Sequence, residues 1–529
     1  MKVQKIVLFS GRSAAAHTRG GGMPGSTRLR PAAIAAFLLF ALGAGAQAPA
    51  AAGDAVGPGC DPARPAVAYR AGLGVVTSHQ GNRPIPCAVV TGSTMETAPV
   101  GVSQDGTLVY APQSTGAAVA PAVFTSKDDG ATWQVQTPTL QPGTGSAIPW
   151  MHLDPQTNRI WFAMIGPRPS TCPSGTYAQV TWSDDEGHSW HTPPGDPANC
   201  RQLQGGMSIV EGPAPKGQPQ SVGYPHVVYH CGNISDGVVP LSVHCWKSLD
   251  GGQTWSFVQG PNNPPSACTG KYGGRGRAIG PDGTLYMSVS CQPTVGGVAV
   301  AGPGPLYLAS SRDEGDTWNY QLVVNTSYEL TQALGVSSLA ADQAGNLYIV
   351  WVDDQNNPML IVGKGSKWSS PLNVAEPGVN YVTRVAVAVN NPGNIAIAYV
   401  GSTGPLREAG VLDPGGTFNG YITESNNALG NDPTFLGAPV AETPLMSSAY
   451  AEAITADQGR LWLLSVAFGR DGTPYAGFHC GNMTNGSTTG TPTSITCPDG
   501  LAPPPAPLAL GVVGSLASHN GNQNAQNGN

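Results

Sequence analysis

The stretch Ser311-Arg312-Asp313-Glu314-Gly315-Asp316-Thr317-Trp318 decides the fold. Its pattern, S-x-D-x-G-x-T-W, recurs as SKDDGATW from Ser126 to Trp133, SDDEGHSW from Ser183 to Trp190 (Ser in place of Thr) and SLDGGQTW from Ser248 to Trp255. The octets begin at residues 126, 183, 248 and 311 and are therefore 57, 65 and 63 residues apart. A fixed octet returning at that period marks a chain built from repeated supersecondary units.

Each octet lies between two short apolar runs, as with Leu306-Tyr307-Leu308-Ala309 before the fourth and Tyr320-Gln321-Leu322-Val323 after it. This places it in a hairpin turn between two strands. The Asp (Asp128, Asp185, Asp250, Asp313) can accept hydrogen bonds from the backbone of its own turn. The Gly (Gly130, Gly187, Gly252, Gly315) reaches backbone angles that a Cβ resists. The Trp (Trp133, Trp190, Trp255, Trp318) is a large apolar plate suited to wedging between sheets. The acidic run Asp184-Asp185-Glu186 lacks the ligand spacing of an EF-hand loop, so the octet reads as structural.

A second repeat alternates with the octet: an apolar strand, a tight turn and another strand. VGVSQDGTLVY (100–110), RAIGPDGTLY (277–286), SLAADQAGNLY (338–348), RVAVAVNNPGNIAIAYV (384–400) and LSVAFGRDGTPYAGFHC (464–480) are clear copies. Asp-Gly between apolar runs is a strong short-range hairpin signal. MHLDPQTNRIWFAM (151–164) and MSIVEGPAPKGQPQSVGYPHVVYHC (207–231) are weaker copies, which makes seven hairpins. Hairpin plus octet gives four strands per unit, the content of one propeller blade. The fold expected is an all-β β-propeller of four-stranded blades, seven in number, with six as the alternative. The fifth unit keeps only Gly363-Lys364-Gly365-Ser366-Lys367-Trp368 of its octet, and the sixth only Tyr421-Ile422-Thr423-Glu424-Ser425. Ala66-Val67-Ala68-Tyr69 is expected to pair with the last blade and close the ring.

In its four copies, S-x-D-x-G-x-T-W resembles the Asp-box, or BNR repeat, of sialidase-like β-propellers. The resemblance covers about Ala66 to Cys497. It implies boxes on the blade rims, away from the ligand site, and six blades in the sialidases themselves. It also implies an arginine cluster to clamp a substrate carboxylate, a Tyr nucleophile with a Glu beside it, and an Asp acid/base. The family's Arg-Ile-Pro mark has its nearest counterpart in Asn82-Arg83-Pro84-Ile85-Pro86, where a proline separates Arg83 from Ile85. That departure favours a binding module over an enzyme.

Arg277 and Arg384 each begin the first strand of a hairpin, and Arg275 shares a face with Arg277 in an extended segment. With Arg83, these are the ligand-binding candidates, expected at the channel mouth. Tyr328-Glu329 and Tyr450-Ala451-Glu452 are the visible Tyr–Glu pairs, and no catalytic residue is assigned. His188, His226 and His230 show no metal-ligand spacing and read as structural; neither metal nor cofactor is expected.

Arg28 and Arg30, the apolar run from Ala32 to Leu42 and the small residues Ala44-Gly45-Ala46 have the layout of a secretory signal, with Met1 or Met23 as the start. Residues 1–48 are read as extension and signal, 60–500 as the propeller. The Pro-, Asn- and Gly-rich 501–529 is read as a disordered tail. The ten cysteines fall in close pairs without C-x-x-C spacing: Cys60/Cys87, Cys172/Cys200, Cys231/Cys245, Cys268/Cys291 and Cys480/Cys497. Local disulfides and export are expected together. Lys and Arg total 25 against 32 Asp and Glu, and only 11% of residues are charged, which gives no basic patch for nucleic acid. Two functions stay open: a secreted module that binds glycans or extracellular proteins, and a sialidase-like glycoside hydrolase with a diverged site.

Overall fold

The computed structural model describes residues 57–76, 82–93, 99–112, 121–139, 147–166, 177–193, 205–234, 242–261, 265, 271–273, 276–292, 294–295, 298–299, 302–328, 337–404, 416–447, 464–481, 495–503 and 509–518. Among these the strands form antiparallel sheets whose first strands come from the hairpins predicted above, together with a separate two-stranded sheet of Thr294–Val295 and Val298–Ala299. The first sheet is Val100–Val102, Leu108–Tyr110, Val123–Ser126 and Gln134–Gln136. The second is Ala147–Leu153, Ile160–Gly166 and Tyr177–Ser183, extended by a bridge between Trp182 and His191.

The third sheet is Gly205–Gly212, Val227–Ile234, Ser242–Ser248 and Ser256–Gln259. The fourth opens with Lys271–Gly273 and Arg277–Ile279 and continues through Leu285–Gln292, Gly302–Ser311 and Asn319–Tyr328. The fifth is Ser338–Ala341, Leu347–Val352, Pro358–Lys364, then Lys367–Trp368 with Leu372–Asn373. The sixth is Tyr381–Asn391, Asn394–Ser402, Thr417–Ser425 and Thr434–Pro439. The closing sheet is Val466–Phe468, Pro474–Cys480, Leu510–Ala517 and Ile85–Val90.

The first strands of these sheets adjoin one another in sequence order, and that of the closing sheet returns against that of the first. This is a β-propeller. Its buried hydrophobic residues fall into clusters that each join two consecutive sheets: Val109 and Val123 meet Met151 and Phe162, and Trp161 and Trp182 meet Ile209 and Trp246. The same arrangement repeats around the ring to Val89 and Val513, which meet Val100 and Phe124. A sheet buried on both faces explains the near-continuous apolar runs.

The four octets adopt one bonding scheme. In the fourth, Ser311 Oγ donates to Asp313 Oδ1 (2.8 Å) and accepts from Gly315 N (2.7 Å). Asp313 accepts from Thr317 N (2.9 Å) and Thr317 Oγ1 (2.5 Å). The same bonds recur around Asp128, Asp185 and Asp250. Trp255 lies in the cluster between its own sheet and the preceding one, and Trp133, Trp190 and Trp318 pack against the corresponding clusters. Such a side chain carries 150–250 Å² of surface, worth roughly 4–6 kcal/mol if fully buried. In the fifth sheet Trp368 takes this place without an Asp, and in the sixth Asn427 replaces the Asp, accepting from Ser425 Oγ (3.1 Å) and Thr434 N (2.9 Å).

Two expectations need correction. Val67–Arg70 pairs with Thr434–Pro439 on the outside of the sixth sheet, so it does not close the ring. Closure comes from Ile85–Val90 and Leu510–Ala517, which pair with each other, and Leu510–Ala517 also pairs with Pro474–Cys480. The reading of 501–529 as disordered thus fails over Leu510–Ala517, and the propeller extends past residue 500. The run contains Leu510, Val512, Val513 and Leu516, and its burial outweighs the weak strand propensity of its glycines.

Disulfides join Cys60 to Cys87, Cys231 to Cys245 and Cys480 to Cys497, as the spacing predicts. Cys291 is also disulfide-bonded, with a partner outside the described residues; Cys172, Cys200 and Cys268 lie there too. No helix among the described residues is long and apolar enough to cross a membrane.

Candidate functional site

Arg277 and Arg384 both stand on first strands, the innermost position of the ring. Their side chains are nevertheless buried, with 5% and 8% exposure, and do not stand open at a channel mouth. Arg277 Nη1 reaches Ser208 Oγ in the third sheet (2.5 Å), and burial pushes its guanidinium down to about 9. Arg384 Nη1 donates to the Thr383 carbonyl (3.3 Å). The strand Ser338–Ala341 stands between the strands that carry these two arginines. Arg83 is exposed beside Ile85–Val90, the outer edge of the closing sheet, and is not brought to either of them. Arg275 lies outside the described residues, as do Glu329, Tyr450 and Glu452. Tyr328 ends the outermost strand of the fourth sheet.

In each sheet the turns after the first and third strands share one end, which is the octet end. The start of the first strand and the turn after the second strand share the other. At that other end of the sixth sheet a cavity of ≈ 290 Å³ opens among Glu376, Thr403, Thr417, Asn419, Tyr421 and Glu442. Glu376 precedes the first strand, Thr403 follows the second, and Thr417 and Asn419 open the third. Three different connections therefore build the cavity, and sequence spacing gave no sign of it.

Glu376 is its distinctive group. Burial pushes its carboxyl up to about 7, and its Oε2 has no hydrogen-bond partner among the described residues. The Glu376 amide donates to Tyr399 Oη (2.9 Å), and the Tyr399 ring stacks on Tyr421 with centroids 5.1 Å apart and planes at 5°. Tyr69 Oη donates to the Val374 carbonyl (2.8 Å), which holds the segment leading to Glu376 against the sheet. A carboxyl that keeps its proton near neutrality can both donate to and accept from a hydroxyl-bearing ligand, and perturbed groups in clefts mark candidate sites. Asn419 is structural: its amide nitrogen donates to Ala441 O (2.8 Å) and Thr443 O (3.3 Å).

A second polar cluster sits at the octet end, between the second and third sheets. Asp154, the first residue of a hairpin turn, is fully buried and lies beside Glu211 and His226. Tyr224 Oη donates to Asp154 and stands 3.3 Å from Glu211 Oε2. Burial, with the charges of Glu211 and Asp154, pushes the Tyr224 hydroxyl far up. Tyr, Glu and Asp are the residue types of sialidase chemistry, but this hydroxyl is disfavoured as an anion and lies on the octet face. Asp154 is itself held well below the usual carboxylate range: burial would raise it, but bonds from His226, Tyr224 and Thr157 prevail. The legible hint was positional, since Asp154 and Glu211 both stand at first-strand ends of consecutive hairpins.

No family model and no curated protein matches the chain. Among solved structures, the α-L-arabinanase of Penicillium chrysogenum complexed with arabinobiose is similar at 16% identity and a TM-score of 0.40, covering 69% of this chain and 99% of its own. The six-bladed β-propeller fungal lectin of Aleuria aurantia is similar at 13% identity and a TM-score of 0.39, covering 66% and 98%. A protein of unknown function from Dyadobacter fermentans shares 13% identity at a TM-score of 0.37, covering 82% and 99%.

Proposed function

We propose that this chain is an exported, sialidase-like Asp-box propeller that binds carbohydrate without cleaving it, through the cavity around Glu376. Its blades in this reading number seven, because the first strands of seven sheets adjoin in a closed ring. The disulfides and the signal-like stretch before residue 46 support export. The observation that carries the binding role is the unpartnered Glu376 Oε2 in a cavity at the end opposite the octets. A protonated carboxyl, the Thr403 and Thr417 hydroxyls and the Tyr421 ring suit a polyhydroxylated ring with apolar C–H faces. The absence of catalysis is supported by the arginines, since Arg83 lies apart from Arg277 and Arg384.

A second reading, a glycoside hydrolase, is favoured by one observation: Glu376 and Glu442 line the same cavity, and such enzymes work with two carboxyl groups of which one keeps its proton. Screening the secreted chain on a glycan array, followed by titration calorimetry on each hit, tests both. The binding module predicts a hit that Glu376→Gln weakens at least about 10-fold, with no turnover of fluorogenic sialosides or arabinosides. Turnover lost in Glu376→Gln would establish the hydrolase instead. Absence of any glycan hit and of any turnover would overturn both.

A further inference from the structure

We infer that Asp154, Glu211 and His226 form a binding site for a divalent transition-metal ion, with zinc as the fitting occupant, that clamps the second sheet to the third. One carboxylate oxygen from each acid and one imidazole nitrogen all lie within 4.8 Å of one another. A tetrahedral zinc ion with bonds of about 2.0–2.2 Å holds its ligand atoms roughly 3.3–3.6 Å apart. His226 Nδ1 and Asp154 Oδ2 are 3.1 Å apart, so small adjustments bring the ligand atoms around an ion.

The groups around the ligands orient them. His226 Nε2 lies 2.5 Å from Gln156 Oε1, an acceptor, so that nitrogen carries the hydrogen. His226 Nδ1 lies 3.1 Å from Asp154 Oδ2, the two atoms bridged by a proton when no ion is bound, and a metal that takes both as ligands displaces that proton. Asp154 Oδ1 is held by the Gln156 amide (2.7 Å), and Glu211 Oε2 by Trp161 Nε1 (2.9 Å). His152 Nε2, 2.9 Å from Glu211 Oε1, stands ready as a further ligand.

Asp154 and Glu211 place two carboxylates together with side-chain exposures of 0% and 4%, and each faces an imidazole, His226 and His152 respectively, so that acids and imidazoles converge on one point. The neighbouring Arg159 does not serve them: it is forked onto Asp184 (2.5 and 2.7 Å) and lies over the Trp161, Trp182 and Tyr224 rings. An ion reaches the cluster past Gln156, which is exposed, and His226. Mixed carboxylate and imidazole ligands suit zinc, whereas calcium and magnesium take oxygen ligands. The cluster is at the octet end and the Glu376 cavity at the other, so the metal's role is to fasten Asp154 of one blade to the 213–226 connection of the next.

The test uses the full secreted chain, stripped with EDTA, dialysed and titrated with zinc chloride, with bound metal counted by mass spectrometry. One zinc per chain is expected, together with a higher unfolding temperature that calcium chloride does not reproduce. His226→Gln should weaken uptake by at least about 100-fold. Gln156→Leu, at an exposed position where folding is not at risk, should weaken it by about 10-fold, the usual effect of losing a group that orients a ligand. A stripped wild-type chain that takes up no zinc, or uptake equally strong in both variants, would overturn the site.

Discussion

Gly315 of the fourth octet lies directly against Val258 of the third sheet: a Cβ built on Gly315 would fall 2.2 Å from Val258 Cγ1. The other octet glycines meet the preceding sheet in the same way, Gly252 at Trp161, Gly187 at Gln136 and Gly130 at Val89. The octet is therefore an interface element as well as a turn. Gly315→Ala is expected to cost on the order of 2–4 kcal/mol, combining a φ of +97° with overlap against a packed side chain. Gly106→Ala, at φ +91° with nothing within 4 Å of the added carbon, should cost only about 1–2 kcal/mol. Urea unfolding midpoints compare them, and equal shifts would refute the interface role.

The octet tryptophans are not equivalent. Trp255 is 6% exposed among Trp161 and Trp182, whereas Trp318 is half-buried and ties its Nε1 to the Gln259 carbonyl (2.9 Å). Trp255→Ala should cost about 3–5 kcal/mol and Trp318→Ala less. Thermal unfolding of the two variants ranks them, and a larger loss for Trp318→Ala would contradict the packing.

Deleting residues 505–529 removes Leu510–Ala517, the strand between Pro474–Cys480 and Ile85–Val90. Such a chain is expected to lose its single cooperative transition and to expose amides of the closing sheet to hydrogen exchange. Deleting only 519–529 should leave both measurements unchanged. A full-strength transition in the longer deletion would show that the closing strand is dispensable.

Glu376 and Glu424 are both pushed up to about 7 by burial, from 4.5 in the unfolded chain. The folded state thus binds protons more readily, so the stability they contribute is fully present below pH 4.5 and is lost as pH rises through 7. Between pH 5 and pH 8 the wild-type chain should lose about 1–3 kcal/mol, and Glu376→Gln should lose less, because the amide does not ionise. Melting temperatures across that range read the slope; a steeper fall in the variant would exclude Glu376 as the source.

What the amino-acid sequence determined by itself is what it encodes over short distances. The octet bonds link residues two and four apart, as from Ser311 to Asp313 and from Asp313 to Thr317, so the motif carries its own geometry wherever it occurs. The hairpins are likewise local, and the described disulfides close spans of 14, 17 and 27 residues. Four-stranded units in series follow from these alone. Only the tertiary structure decided which distant residues meet. Ile85–Val90 and Leu510–Ala517 pair across nearly the whole chain and complete the closing sheet, covering the edge that Pro474–Cys480 would otherwise leave unpaired. Asp154, Glu211 and His226 converge because two blades stack face to face, and Glu376 reaches Tyr399 and Tyr421 because three connections end at one rim of the sixth sheet. Packing between blades sets those distances, and packing depends on side-chain volumes summed over two sheets, which no spacing along the chain records.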